Sequence, residues 1–332
     1  MQILVIGGFG YIGSQILQSL SDSREFEGCE VAVVDNWSYG RGMAPVQAYF
    51  REKIGNFSSY CIELSDSSSD VLKEVVASSD YIVNAASLTQ VPDTYLHEKY
   101  ILHGAENLAE CILASPGRLR KVIDISSTSI YGPVKKKMPE VAEPYGEDVY
   151  PDPEIAYHNY ASSKLRAETM WQSDKCKDIP FTMFRLSTIF GYAPGMRYNQ
   201  FIGQFLVDAV AGRETVLPGS PSNYRPFFHV ADCAELMLHL LTEDSHANGH
   251  VINIGSAHLN PRLGDLFAGL AAMLKKDFAI EAEYKFACEI GTPPFEEDYR
   301  VDFSKFEQMI SFTPRHLGFE EGARELVERI LG

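Results

Sequence analysis

The sequence predicts an α/β chain in which helices cover both faces of a parallel sheet, followed by a smaller and less regular region. Three observations predict it: short β-branched runs alternate with longer helical stretches, those runs are almost entirely apolar, and a glycine-rich turn follows the first of them. Strands buried on both faces read as continuous apolar runs. Strand and helix in strict alternation require crossover connections, and these produce parallel pairing.

The strand candidates are residues 3–6, 31–34, 60–62, 81–84, 122–125 and 181–186, and the helical stretches between and after them include 12–20, 69–77, 98–114 and 159–176. Beyond about residue 187 the chain becomes rich in Gly, Pro and Tyr, then offers a run at 225–230, a helix at about 231–241 and a strand at 251–254. This pattern predicts that the chain leaves the sheet and returns to it, giving one domain from 1–186 and 225–258 and a smaller interleaved one from 187–224 and 259–332. Asp232 with Glu235 reads as an acidic capping box, and Asn260-Pro261 as an N-cap followed by Pro at the first helical position. Lys135-Lys136-Lys137 reads as a solvated loop.

Composition narrows the function. The 332 residues are 45% apolar and 22% charged, as in ordinary folded proteins, and carry a formal net charge of −16. A nucleic-acid binder needs a basic face, and so does a protein docking on anionic lipid. Neither partner is expected, and any anionic ligand requires a local site. The six cysteines have no C-x-x-C spacing, which fits reduced thiols and a cytoplasmic location and gives no metal site. Met1 runs into Ile3-Leu4-Val5-Ile6 with no basic leader and no apolar stretch of ~18 residues, so neither a signal peptide nor a membrane span is expected.

The turn after the first strand is Gly7-Gly8-Phe9-Gly10-Tyr11-Ile12-Gly13, and it opens a helix. Glycines there permit a tight turn, close backbone approach to a pyrophosphate and packing of helix on strand. At the end of the second strand stands Asp35, placed to accept hydrogen bonds from ribose hydroxyls and to repel a 2′-phosphate. Order and spacing predict a Rossmann-type doubly wound sheet with NAD as cofactor, while Arg41 nearby is the residue a 2′-phosphate would use.

Tyr160 and Lys164 are four residues apart, so on a helix they share one face. The ammonium can then lower the phenol's pKa from roughly 10 toward the range of a working general base. Ser126 to Ser129 follow a strand whose carboxyl end is where open α/β sheets place ligands, and Ser127 is assigned to the reacting oxygen. These three residues predict hydride transfer to and from a hydroxyl-bearing substrate.

With these motifs the chain resembles the extended short-chain dehydrogenase/reductase family, in its nucleotide-sugar epimerase and dehydratase branch. The likeness also takes in Asn36, Asn84-Ala85-Ala86, the stretches 185–191 and 225–230, and Ile252-Asn253-Ile254-Gly255. It implies that Ser127, Tyr160 and Lys164 form the catalytic triad, with Lys164 also holding the nicotinamide ribose. Gly7, Gly10, Tyr11, Ile12, Gly13, Asp35, Asn36, Ala85 and Ala86 would bind the cofactor, and Glu63 and Leu64 would lie beside adenine. Arg225 would grip the diphosphate of a nucleoside-diphosphate sugar, with Arg197 and Asn199 lining the substrate cleft. His229 is expected to be packing rather than catalytic, and a homodimer through helices 98–114 and 159–176 is implied.

Departures from the family pattern bear on the reaction. Relatives that eliminate water carry an acid pair where this chain has Thr128 and Ser129, and hydroxyls do not replace a carboxyl acid and base. A second phosphate arginine expected shortly before Asp302 is replaced by the Cys288-Glu289-Ile290-Gly291 region, and Arg300 stands out of register with it. The expectation is a C4 epimerase working through a 4-keto sugar, ahead of an atypical dehydratase, a decarboxylase or a 4-keto-sugar reductase.

Overall fold

The computed structural model describes residues 1–38, 43–88, 94–115, 117–131, 146–147, 159–243, 246–288 and 299–332. Its first half runs β1 (Gln2–Ile6), α1 (Tyr11–Asp22), β2 (Glu30–Asp35), α2 (Met43–Lys53), β3 (Phe57–Cys61), α3 (Asp70–Ser78), β4 (Tyr81–Asn84), α4 (Thr94–His97), α5 (Gly104–Ala114), β5 (Lys121–Ser127), α6 (Asn159–Trp171) and β6 (Phe181–Leu186). The second half continues with β7 (Thr188–Phe190), α7 (Phe201–Val210), β8 (Thr215–Leu217), β9 (Phe227–His229), α8 (Val230–Thr242) and β10 (His250–Ile254). It closes with α9 (Leu263–Phe278), β11 (Tyr284–Phe286), α10 (Ser304–Met309) and α11 (Glu320–Leu331).

Seven strands form the parallel sheet in the order β10-β6-β5-β4-β1-β2-β3. The Rossmann-type fold is therefore as predicted, and the order reverses between β4 and β1. A crevice opens at such a reversal, outside the carboxyl ends of the strands. Alternate side chains of each strand feed opposite layers: Ile3, Val5, Val31 and Val33 join one core, while Leu4, Ile6, Ala32 and Val34 join the other. Full burial of each Val, Leu or Ile side chain among them contributes about 1.5–3 kcal/mol, which makes the register of the central strands costly to shift. A third core is built by α7, α9 and α11 around Phe205, Phe267, Leu270 and Leu326.

Several local expectations need correction. The run at 225–230 does not enter the main sheet; β9 pairs in parallel with β7 in a two-stranded sheet of its own. The α8 N-cap is His229, whose Nδ1 accepts from the Ala231 amide at 3.3 Å. Asp232, fully buried, instead accepts the amides of Arg315 and His316, so tertiary structure claims the carboxylate that local spacing assigned to a cap. Asn260-Pro261 lies outside α9, whose N-cap is Arg262. A π-helical stretch, Glu98–His103, joins α4 to α5, and the helix expected over 159–176 ends at Trp171, followed by a separate turn at Asp174–Cys176.

All six cysteines are free thiols. Among the described residues no helix is long and apolar enough to cross a membrane, and no cluster of His, Cys, Asp or Glu could hold a metal ion.

Helix α6 is fastened to the sheet by charge. Glu168 and Arg185 are both fully buried and meet at 2.7 Å, and Ser126 Oγ also donates to Glu168. Arg185 Nη1 donates to the Tyr131 hydroxyl at 2.7 Å, which donates to Asn253 Oδ1 at 2.7 Å. This joins β5, β6, β10 and α6. Removing one partner of a buried pair strands the other charge. Arg185→Met is thus expected to destabilise the fold by about 3–5 kcal/mol in urea denaturation, with part of the loss recovered when Glu168→Gln is added; an unchanged midpoint would show that the pair does not hold the helix.

Candidate active site

The turn between β1 and α1 is closed by backbone contact. Gly7 adopts φ +72°, and a Cβ there would meet Ala86 Cα at 2.8 Å. At Gly13 a Cβ would lie 2.2 Å from the Gly7 carbonyl oxygen and 2.7 Å from Gly8 Cα. Gly10 caps α1 and lines the cleft in front, and a Cβ there would stand 3.3 Å from the Gly7 carbonyl oxygen. The turn is packed against its own backbone and opens on a cleft in front.

In front lies a cleft of about 540 Å³ lined by Gly7, Gly10, Asp35, Asn36, Glu63, Leu64, Ala85 and Ala86, among others. Asp35 is 6% exposed and accepts the amides of Trp37 at 2.9 Å and Phe9 at 3.1 Å. Burial pushes its carboxyl up, and those amides oppose the shift by stabilising the carboxylate. Asn36 Nδ2 donates to Glu63 at 3.1 Å, and Lys99 stands 3.8 Å from the same carboxylate. The Leu64 carbonyl accepts from Asn107 at 2.7 Å. A cradle of glycines under a carboxylate that retains open acceptor sites fits a dinucleotide.

A second cleft, about 1550 Å³, shares Gly10, Ala85 and Ser87 with the first. It brings together Tyr11, Ile12, Ser127, Thr128, Ser129, Tyr160, Arg197 and Arg225. Asn199 is exposed and does not line it; Gln200 and Phe201, its next neighbours, do. Arg41, Gly132, Lys135-Lys136-Lys137 and residues 289–291 lie outside the described residues.

Lys164 sits behind the cleft, 2% exposed, with Nζ donating to the Ile125 carbonyl at 2.5 Å and lying 5.9 Å from the Tyr160 ring centre. Burial lowers its ammonium to about 8, against the pull of Asp124 and Glu168. Asp124 is itself pushed up by burial, while Lys164 and hydrogen bonds from Trp171 and Asn84 favour its ionised form. Ser127 Oγ accepts the Ser129 amide at 3.1 Å, and Thr128 Oγ1 donates to the Leu186 carbonyl at 3.2 Å. Ser129 Oγ is buried with no hydrogen-bond partner among the described residues. Arg225 Nε donates to Thr188 Oγ1 at 2.7 Å, and its guanidinium lies 4.5 Å from the Phe201 ring centre.

Sequence reasoning missed His97, which packs edge-on against Tyr160 at 5.8 Å, and Tyr299, whose hydroxyl is 3.5 Å from Thr128 Oγ1. Neither belongs to a local motif, so no spacing signal could have found them. Two of the non-glycine residues at positive φ, Trp37 at 54° and Phe201 at 23°, stand beside the two clefts, where backbone strain tends to collect. His229 is buried and stacks on His316 at 3.8 Å, away from the reacting groups.

The sequence profile of the NAD dependent epimerase/dehydratase family matches residues 3–255. The chain belongs to this family. It is accordingly an NAD-using enzyme of the epimerase/dehydratase type. Within the family it is similar to the dTDP-glucose 4,6-dehydratase of Mycolicibacterium smegmatis, 22% identical over 99% of this chain and 92% of that one. It is also similar to UDP-glucuronic acid decarboxylase 1 of Danio rerio, 23% identical over 98% of this chain and 72% of that one. Among solved structures, a UDP-glucuronic acid 4-epimerase from Bacillus cereus, in complex with UDP-glucuronic acid and NAD, superposes with a TM-score of 0.81 at 20% identity, covering 100% of this chain and 99% of that one. Membership fixes the type of chemistry and leaves the reaction to the cleft.

The packing of the turn yields a direct test. Gly13→Ala drives a methyl into two backbone atoms that no rotamer change can move. The expected outcome is a loss of about 1–3 kcal/mol in stability together with weakened NAD binding in calorimetry; wild-type behaviour on both counts would show that the turn is looser than its contacts indicate.

Proposed function

We propose that the chain is an NAD-dependent nucleotide-sugar epimerase that inverts C4 of a nucleoside-diphosphate hexose through a 4-keto intermediate. The observation that carries this reading is the lining of the larger cleft: among its described residues there are hydroxyls, phenols, an imidazole, an amide and two guanidiniums, and no carboxylate. Dehydration across C4 to C6 needs an acid and a base beyond the hydride-transfer step. Thr128 and Ser129 offer neither. Inversion at C4 needs one proton moved reversibly at the C4 oxygen, for which a phenol is sufficient.

Tyr160 takes that proton and later returns it. The Lys164 ammonium, on the same face of α6, favours the phenolate through space. Ser127 holds the sugar oxygen, and Thr128 and Ser129 contact neighbouring sugar hydroxyls. Arg225, braced by Thr188 and Phe201, neutralises the diphosphate, with Arg197 lining the same cleft. Asp35 and Asn36 hold the adenosine ribose, Glu63 and Leu64 flank adenine, and the glycine turn of Gly7 and Gly10 admits the pyrophosphate. When bound, NAD supplies reversible hydride acceptance. The domain division at 187, 225 and 259, a cytoplasmic location and a homodimer through the 98–114 and 159–176 helices complete the reading.

Tyr160→Phe is expected to retain NAD and lose at least ~10²-fold in turnover, followed as product formation from a panel of nucleotide sugars; undiminished turnover removes the residue from its role. Because Lys164 carries its proton only below about pH 8, kcat/KM should fall above that pH, and Lys164→Met should lower activity and erase that limb. The stability linkage has the opposite sense: the unfolded lysine keeps its proton up to 10.5, so this group makes the native state more stable as pH rises from about 8 to 10.5. A pH profile with no alkaline limb in this range would contradict the role of Lys164.

A further inference from the structure

We propose that Ser14 and the Tyr11 hydroxyl are positioning residues of the larger cleft: they bolt the segment from Gly191 to Phe201 onto the first turn of α1 and so set where Arg197 stands. The assignment rests on the nucleotide-sugar reading of that cleft and adds to it the groups that hold its substrate side to the glycine-rich turn.

The segment leaves β7 at Gly191, whose φ of +101° and close contact with the His229 ring exclude a side chain. The Gly191 carbonyl accepts the Tyr11 hydroxyl at 2.5 Å. Burial raises the pKa of that phenol, so it stays protonated and serves as a donor. Four residues on, the Gly195 amide donates to Ser14 Oγ at 2.7 Å, and Ser14 Oγ donates in turn to the Tyr11 carbonyl at 3.0 Å. Backbone lies on backbone here: a Cβ on Gly195 would strike the Phe9 carbonyl oxygen and stand 2.7 Å from that of Gly10. Between the two fastenings the Tyr192 ring is covered by the Arg329 guanidinium of α11, 3.6 Å from its centre. Further along, Gly203 of α7 packs on the same segment, since a Cβ there would meet the Met196 methyl at 3.0 Å and the Tyr198 carbonyl oxygen at 3.2 Å.

Arg197 thus stands two residues beyond the Gly195 clamp and one before the contact of Tyr198 with Gly203. Its backbone is held on both sides, and its side chain lines the cleft together with Gln200 and Phe201. A serine in the first turn of a helix commonly bonds a carbonyl of its own turn. The second bond of Ser14, to an amide 181 residues away, has no such local reason. Phe201 keeps φ at +23°, a conformation that persists only where the surroundings over-determine it, and the clamps contribute to that. In a protein of net charge −16 an anionic substrate is drawn in by placed cations, so a guanidinium free to wander costs affinity. The loss falls on binding more than on chemistry, because Tyr160 and Lys164 are carried by α6 and not by this segment.

The test measures binding of UDP, dTDP and GDP to the enzyme at saturating NAD by calorimetry, for the wild type, Ser14→Ala and Tyr11→Phe. Ser79→Ala is the control: it removes an equally buried hydroxyl, bonded to the Val75 carbonyl at 2.7 Å, from the carboxyl end of α3. For whichever nucleotide binds most tightly, Ser14→Ala and Tyr11→Phe are each expected to weaken affinity about 3- to 10-fold, and Ser79→Ala to leave it unchanged. KM for the sugar nucleotide should rise in both variants while kcat stays within about twofold, the mark of lost binding common to ground and transition states. Arg197→Gln should weaken affinity as well, and either substitution added to it should cost no more than about twofold further, because the group being positioned is already gone. Where Ser14→Ala does not fold, Tyr11→Phe, which deletes one oxygen, decides. Wild-type affinity in either folded variant, an equal loss in Ser79→Ala, or full additivity on Arg197→Gln overturns the positioning role and leaves the epimerase reading standing. A wild type that binds none of the three nucleotides overturns both.

Discussion

The stripe of α6 that carries Tyr160, Lys164 and Glu168 at four-residue intervals is anchored by buried charge, and both clefts depend on where it sits. Glu168 is locked to Arg185 on β6, Lys164 reaches the Ile125 carbonyl on β5, and Trp171 closes the stripe with a 2.6 Å hydrogen bond to Asp124. A hydrophobic contact alone would let the helix slide or roll by part of a turn. Directional, desolvated bonds at three successive levels leave Tyr160 one position at the mouth of the cleft. The same burial that fixes Lys164 also lowers its proton affinity, so the anchoring and the electrostatics of the phenol arise from one arrangement.

The two clefts share a floor. Gly10, Ala85 and Ser87 belong to both, so the two clefts form one continuous trough across the point where strand order reverses. Continuity follows from topology: the crossover after β1 goes to one side and that after β4 to the other, which leaves a gap between them. The glycine-rich turn therefore borders both clefts. Tyr11, within that turn, reaches across to donate to the Gly191 carbonyl at 2.5 Å and ties it to the chain leaving β7.

How far the sequence could be read depended on whether the relevant physics was local. The strands β1, β4 and β6 declared themselves because burial on both faces leaves few polar positions, and Tyr160 with Lys164 did so because helical spacing alone puts them on one face. Asp232 and Asn260 misled for the complementary reason: their local capping geometry was plausible, but a distant segment claimed the first and the chain delayed α9 beyond the second. His97, Gln200, Phe201 and Tyr299 reach the cleft only through tertiary folding. The small sheet of β7 and β9 was equally hidden, since a run of three residues carries no periodicity that separates one sheet from another.

If the larger cleft holds the sugar, as proposed, the solitary Ser129 hydroxyl bears on discrimination between sugars. It is buried beside the substrate cleft and finds no acceptor or donor among the described residues. A ligand that places a polar atom against it completes a hydrogen bond, whereas one that places a methylene there leaves a desolvated hydroxyl worth about 1–3 kcal/mol. Sites built this way reject analogues that lack the matching group more strongly than apolar pockets reject a change in size. On the proposed reading of the cleft, a single short side chain would give it a means of telling an oxygenated sugar from its deoxy counterpart.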